Sequence, residues 1–258
     1  MSGTSLAIPG LASAVGVAVG ARASSRIARA TVTSLAALGE ARLGTHRTPT
    51  MRAQALSATA RDVCAIHALE IEVIGILPER PCILVANHVS YLDPLVILSQ
   101  MPAAPIAKAE VADWPVIGPA ARALGTNFVN RASVAARAVT LRRALAALHA
   151  GVSVLNFPEG TTTSGERLLP FHRGIFGAAM IANVPVVPLA LTYDNRDLAW
   201  TGDATFLPHY WRLSTRRRAR ARLVARAAMW GRPTEQPVDF AARVRAAIAV
   251  SLDGHLRS

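Results

Sequence analysis

Lysine is almost missing from this sequence. All but one of the 28 basic residues are arginine, and the exception is Lys108. Alanine is very frequent, so the bias points to a skewed genome in which many arginines carry no message beyond coding preference. Acidic residues number 16, and none precedes Glu40. The resulting charge of +12 attracts anions: phospholipid headgroups, nucleic acid or an acidic carrier. Only 17% of residues are charged, however, and mean hydropathy is positive at +0.31. Basic and aromatic residues do not interleave on a recognisable nucleic-acid module. This argues against a nucleic-acid partner and for a protein that touches lipid. Cysteine is limited to Cys64 and Cys82. Both lie in apolar contexts without metal-ligand spacing and read as core thiols of a reducing compartment. No metal is expected. With no G-x-S-x-G elbow, a serine nucleophile lacks its usual setting. No internal repeat is visible.

The first sixty residues differ from the rest. The apolar run at 6–21 contains Pro9, Gly10, Gly16 and Gly20 and stops short of the roughly 20 residues that span a bilayer. Arg22, Arg26 and Arg29 follow on one helical face, with Ile27, Leu35 and Leu38 roughly opposite. Such a segment suits an interfacial helix lying among headgroups. A transit peptide is the alternative. A secretory signal is not expected, because its pattern puts basic residues before the apolar run and here they follow it. The polar stretch 44–51 reads as a linker. The expected division is therefore a helical membrane-associating segment at 1–60 and a main domain at 61–258.

From residue 65 onward strands and helices alternate. Strands are predicted at 70–76, 83–87, 105–109, 126–129, 152–157 and 184–192. Helices are predicted at 94–101, 114–124, 134–150, 173–182 and 238–252. The arginines at 216–226 are interspersed with apolar residues, and the even-numbered ones suit an edge strand with a basic outer side, either docking anionic lipid or an acidic carrier, or simply blocking aggregation. The fold class is α/β: a mixed, mostly parallel sheet flanked by helices, with the N-terminal helical segment added.

Two strand ends carry chemistry. Asn87, His88 and Asp93 follow the apolar strand at 83–87, and in α/β sheets sites gather at such ends. An imidazole held by a carboxylate can take a proton from a hydroxyl. On one continuous helix the two would stand about 140° apart. They meet only if the chain turns between them, with Asp93 capping or entering a helix and Pro94 at its first position. On spacing alone, a structural His beside a capping Asp remains open. The second strand end delivers Glu159, Gly160 and Thr161 into a loop of hydroxyls and amides fit for an anion or polar headgroup.

At this point the sequence resembles the glycerolipid acyltransferase family typified by bacterial 1-acylglycerol-3-phosphate acyltransferases. Four blocks match in order. Asn87-His88 with Asp93 resembles the catalytic block, and Gly125 to Arg131 the second. Phe157, Pro158, Glu159, Gly160 and Thr161 resemble the third, and Val184 to Pro188 the fourth. Lys108, Gly118 and Arg131 fall at the spacings of the family's phosphate-binding pattern, with Val111 in place of Leu.

The resemblance implies that His88, oriented by Asp93, activates a lysolipid hydroxyl. That oxygen then attacks an acyl thioester of coenzyme A or acyl carrier protein, with no further cofactor and with backbone amides near a helix start facing the oxyanion. Asn87, Lys108, Gly118, Arg131, Glu159, Gly160 and Thr161 are the expected substrate-binding residues. The expected location is the cytoplasmic face of the inner membrane, against an anionic surface. One departure stands out: Thr162 replaces the family's usual Arg. The acceptor is then either 1-acylglycerol-3-phosphate, with Arg167, His172 or Arg173 compensating, or a lyso-aminolipid such as lyso-ornithine lipid. A non-catalytic lipid-binding module is the competing class.

Overall fold

The computed structural model describes residues 9–79, 81–201 and 205–256. Residues 6–8 of the apolar run and Arg80, between the strands expected at 70–76 and 83–87, lie outside the described residues. The chain opens with two long helices, α1 (Pro9–Arg42) and α2 (Pro49–Ile66). The expected linker is shorter than predicted. Thr48 accepts the Met51 N–H on its side chain and Pro49 starts α2, a cap followed by a residue whose ring already fixes a helical φ. Residue 60 thus lies inside α2, which runs on to the sheet.

The core is a seven-stranded sheet: β1 (Leu69–Ile74), β2 (Ile83–Ala86), β3 (Ala103–Lys108), β4 (Asn127–Val129), β5 (Ser153–Asn156), β6 (Val186–Tyr193) and β7 (Ala219–Ala225). The spatial order is β1-β7-β6-β2-β5-β3-β4. Among the described residues these strands pair in parallel except β6 with β7, which is antiparallel. In β2 the alternation is plain: Leu84 and Ala86 enter one apolar layer, Ile83 and Val85 the other. The first layer is closed by α2, α3 (Asp93–Gln100) and α7 (Phe206–Thr215). The second is closed by α5 (Val134–His149), α6 (Gly174–Ala182) and α8 (Pro237–Leu256). Each fully buried Leu, Ile or Phe in these layers contributes about 1.5–3 kcal/mol.

Three expectations change. The helix predicted at 114–124 is present but starts three residues later, as α4 (Ile117–Ala123) behind a 3-10 turn at Ala109–Asp113, because Pro115 and Val116, with φ 65°, turn the chain before it. The helix α7 was not foreseen. The basic strand β7 is not an edge; it lies between β1 and β6. Its outward arginines face acidic residues on β1: Arg220 stands opposite Glu70 and Arg222 opposite Glu72. Arg220 Nε donates to Glu70 Oε2 at 2.8 Å. A ladder of opposite charges solvates that side of the sheet.

Helix α1 is joined to the body by its small residues and two arginines. Ala23, Ala30, Ala37 and Leu38 are buried. Arg22 donates to the Thr215 carbonyl at 3.1 Å. Arg26 donates to the carbonyls of Ser214 (3.4 Å), Arg216 and Arg217 (3.3 Å), satisfying oxygens at and beyond the end of α7. Two of the three arginines expected to face headgroups are thus spent inside the fold, while Arg29 is exposed. Val17, Val32 and Leu35 remain exposed on α1. Among the described residues, no helix is long and apolar enough to cross a membrane.

Candidate active site

Five parallel strands end along one edge of the sheet, and the residues singled out above sit there. Asn87 follows β2 and imitates one more strand residue. Its amide donates to the Leu191 carbonyl at 2.9 Å, and its Oδ1 accepts the Leu191 N–H at 2.8 Å. That pairing extends β2 along β6 and fixes where the next residue leaves the sheet. Asn87 is buried.

His88 and Asp93 meet. Nδ1 of His88 lies 2.7 Å from Asp93 Oδ2. The chain makes the turn that the spacing requires: Asp93 opens α3, Pro94 follows, and the carboxylate folds back to accept the N–H groups of Val89 (2.7 Å) and Ser90 (2.9 Å). The Tyr193 hydroxyl donates to Oδ1 at 2.7 Å. Four donors therefore converge on a carboxylate with 0% exposure. A carboxylate only accepts, so Nδ1 carries the ring proton and Nε2 holds the free lone pair. The imidazole stacks on Phe157, with centroids 4.2 Å apart, and its side chain keeps 19% exposure. One side of the ring is locked and another reaches solvent, the arrangement a general base needs.

The third block wraps around this residue. Glu159 is buried; Oε1 accepts the His88 N–H at 2.8 Å and Oε2 the Leu169 N–H at 2.9 Å. Burial pushes the Glu159 carboxyl above its usual range, against the pull of those two amides. The Thr163 N–H donates to the His88 carbonyl at 2.8 Å. Glu159 thus braces the His88 backbone. Thr161 is exposed in the loop. Gly160 has φ 79°, and a Cβ there would stand 3.1 Å from His172 Nε2 and 3.6 Å from Arg131 Nη1. The loop needs glycine for its conformation, and Arg131 from the second block reaches it.

The remaining phosphate-pattern residues fall into two kinds. Lys108 ends β3, exposed, with Nζ 2.9 Å from Glu110 Oε1. Gly118 is needed for packing, since a Cβ would sit 2.1 Å from the Ala112 carbonyl oxygen. The backbone donors expected at the oxyanion do not come from Val89 and Ser90, whose amides Asp93 holds.

Sequence reasoning assigned no role to Tyr193. Its hydroxyl is pushed well above the ordinary tyrosine range by burial and by the neighbouring Asp93 charge, so it stays a donor. The signal was present: a polar aromatic at the last position of the buried strand beside the His88 strand. The first block thus meets the strand that carries the end of the fourth through Asn87–Leu191 and Asp93–Tyr193, the third through Glu159 and Thr163, and the second meets the third at Gly160.

A family profile described as Acyltransferase matches residues 69–192. Over 156 residues the chain is 38% identical to the lyso-ornithine lipid O-acyltransferase of Pseudomonas aeruginosa, covering 58% of this chain and 60% of that one. Over 164 residues it is 36% identical to the 1-acyl-sn-glycerol-3-phosphate acyltransferase of Neisseria meningitidis, covering 63% of each. The matches thus span about 60% of the length of these curated relatives. The crystal structure of the Thermotoga maritima 1-acyl-sn-glycerophosphate acyltransferase superposes with a TM-score of 0.62 at 19% identity, over 90% of this chain and 98% of that one. That likeness concerns the fold.

Proposed function

We propose, from the premise that residues 69–192 of this chain belong to the acyltransferase family, that it moves a fatty acyl group from an acyl thioester to the free hydroxyl of a lysolipid. The observation that carries this reading is the buried Asp93 carboxylate holding His88 by Nδ1. Nε2 takes the hydroxyl proton, and the imidazolium that forms is stabilised by Asp93. The acceptor oxygen attacks the thioester carbonyl. The tetrahedral intermediate then expels the thiolate, which regains the proton from Nε2. No acyl-enzyme forms. The donor is acyl-CoA or acyl carrier protein, a co-substrate rather than a resident cofactor.

The first reading of the acceptor is 1-acylglycerol-3-phosphate, gripped by Lys108 and Arg131 beside Gly160. Thr162 at the position of the family's Arg favours a second reading, a lyso-aminolipid such as lyso-ornithine lipid. The protein works at the anionic inner surface of the cytoplasmic membrane. The exposed Val17, Val32 and Leu35 of α1, with Arg29, lie against it, and the helix does not span.

The test is thiol release from acyl-CoA and acyl-carrier donors against a panel of lysolipids. Thiol is expected only when an acceptor is present, in step with diacylated product. Release at the same rate without acceptor would contradict the reading. For the surface, Val32→Glu with Leu35→Glu should reduce flotation with anionic vesicles; unchanged flotation would remove α1 from the contact.

A further inference from the structure

A chain of charge +12 draws anionic partners to the surface where its charge is left over. Strand β7 does not provide that surface, since Glu70 and Glu72 stand opposite Arg220 and Arg222. Helix α5 does. From residue 114 to residue 158 the sequence holds five arginines and no acidic residue. Three of them, Arg137, Arg142 and Arg143, lie exposed on α5. Among the described residues, none of Arg142, Arg143 and Arg173 takes part in an ion pair. Arg173 precedes α6, and a Cβ on the next residue, Gly174, would stand 3.4 Å from Leu141 Cδ1. Arg173 therefore lies beside the middle of α5.

This basic face leads to the site. Ser133 caps α5 two residues beyond Arg131, and Arg137 Nη1 donates to the Arg131 carbonyl at 2.6 Å. Next to Arg173, His172 closes on Gly160. At about 1.5 Å per residue, Arg142 stands roughly 13 Å along α5 from its cap. The face also points away from the lipid contact read above. Helix α5 covers the second apolar layer, whereas α1 rests on the helices of the first. An interfacial helix buries large apolar side chains among lipids. Apart from Val134, the exposed residues of α5 are alanines, arginines and His149. The helix has no Phe, Tyr or Trp on which a nucleic-acid base could stack.

We propose that the outward face of α5, with Arg173 beside it, is a docking surface for an acidic helix of the acyl carrier protein. Fixed charge with few apolar anchors speeds encounter more than it prolongs residence, which suits a carrier that leaves after each transfer. Docked there, the carrier points its thioester-bearing arm past His172 and Gly160 toward His88. Donor and acceptor then approach from opposite sides of the sheet. This assignment rests on the acyl-transfer reading above and gives the donor of that same site its own surface.

The experiment measures kcat and KM for one acyl chain carried on acyl carrier protein and on CoA. The acceptor is whichever of lysophosphatidate and lyso-ornithine lipid the wild-type chain acylates in detergent micelles. In the full chain, Arg142→Glu with Arg143→Glu should raise KM for the acyl carrier about tenfold with kcat little changed, the scale of reversing charges at an interface rim. Both constants with acyl-CoA should stay at their wild-type values. Arg142→Gln with Arg143→Gln should repeat the selective rise at smaller size, and about 0.5 M salt should raise the wild-type KM for the carrier as well. Equal losses with both donors, or an unmoved KM for the carrier, would overturn the docking surface and leave acyl transfer standing. Flotation on anionic vesicles lost with the carrier KM unmoved would make the face a membrane contact instead. A wild-type chain that releases thiol from neither donor would remove the acyl-transfer reading and this inference with it.

Discussion

His88 and Asp93 meet at 2.7 Å, and Arg220 and Glu70 at 2.8 Å, on the same seven-stranded sheet. Both pairs join a basic side chain to a carboxylate, the first beyond the strand ends and the second on a strand face. The Asp93 side chain has 0% exposure, whereas Glu70 and Arg220 each keep 54%. Asp93 accepts from four groups, two of them backbone amides. Glu70 leans on an arginine that water also solvates. The first pair fixes a tautomer and an orientation; the second keeps a charged sheet face soluble. Residue type and distance do not separate these roles. Burial and the number of donors on each carboxylate do.

The largest expected break in this comparison is His88→Ala. It should lower thiol release by about a thousandfold, the scale of losing a general base, while the thermal transition stays cooperative. Most activity retained would reduce the buried pair to the status of the exposed one. Next comes Tyr193→Phe, which leaves Asp93 Oδ1 without its hydroxyl donor. A cost near that of one charged hydrogen bond predicts a fall in kcat of about tenfold with KM little changed, since Tyr193 acts through Asp93. A change confined to KM would place Tyr193 in acceptor binding instead.

A third histidine sharpens the contrast from the other side. His209 is buried with neutral partners: Nδ1 lies 2.9 Å from the Tyr91 hydroxyl, and Nε2 faces the carbonyls of Asp197 and Ala199. Burial first, and nearby Arg212 and Arg216 as well, hold its pKa below 6.5. The unfolded chain therefore takes up this proton at a higher pH than the folded one. The stability linked to neutral His209 is complete above about pH 6.5 and is lost as pH falls toward the folded value. His209→Gln should flatten the decline of melting temperature between about pH 6.5 and 5. An unchanged slope would show that other groups govern it. The smallest effect belongs to the exposed pair. Glu70→Gln or Arg220→Gln should leave turnover unchanged and shift the melting temperature slightly, less so in about 1 M salt.

What was legible in the sequence was local. Alternation and strand ends place β2, β5 and the turn from His88 to Asp93, because Pro94 and a capping carboxylate are written within a few residues. What was not legible depends on partners far along the chain. Arg220 and Arg222 look like an outer edge until Glu70 and Glu72, about 150 residues away, are seen opposite them. Tyr193 looks like the end of a strand until Asp93 is found against it. Arg22 and Arg26 form one face of a helix, as expected, but nothing nearby reveals that α7 ends against that face. Helix α7 itself was missed because Pro208 and its aromatic residues obscure a helical pattern that tertiary packing supplies.

The hold of Arg26 on residues 214–217 has a consequence for how this protein tolerates change. The atoms it grips are main-chain oxygens, present whatever side chains those positions carry. That joint therefore places no demand on the identity of its receiving partner and a strict one on the fork that reaches it. Lysine in its place would offer a single ammonium where a planar group now spreads over three carbonyls. In a chain this reluctant to use lysine, compositional habit and mechanical need agree at one rivet.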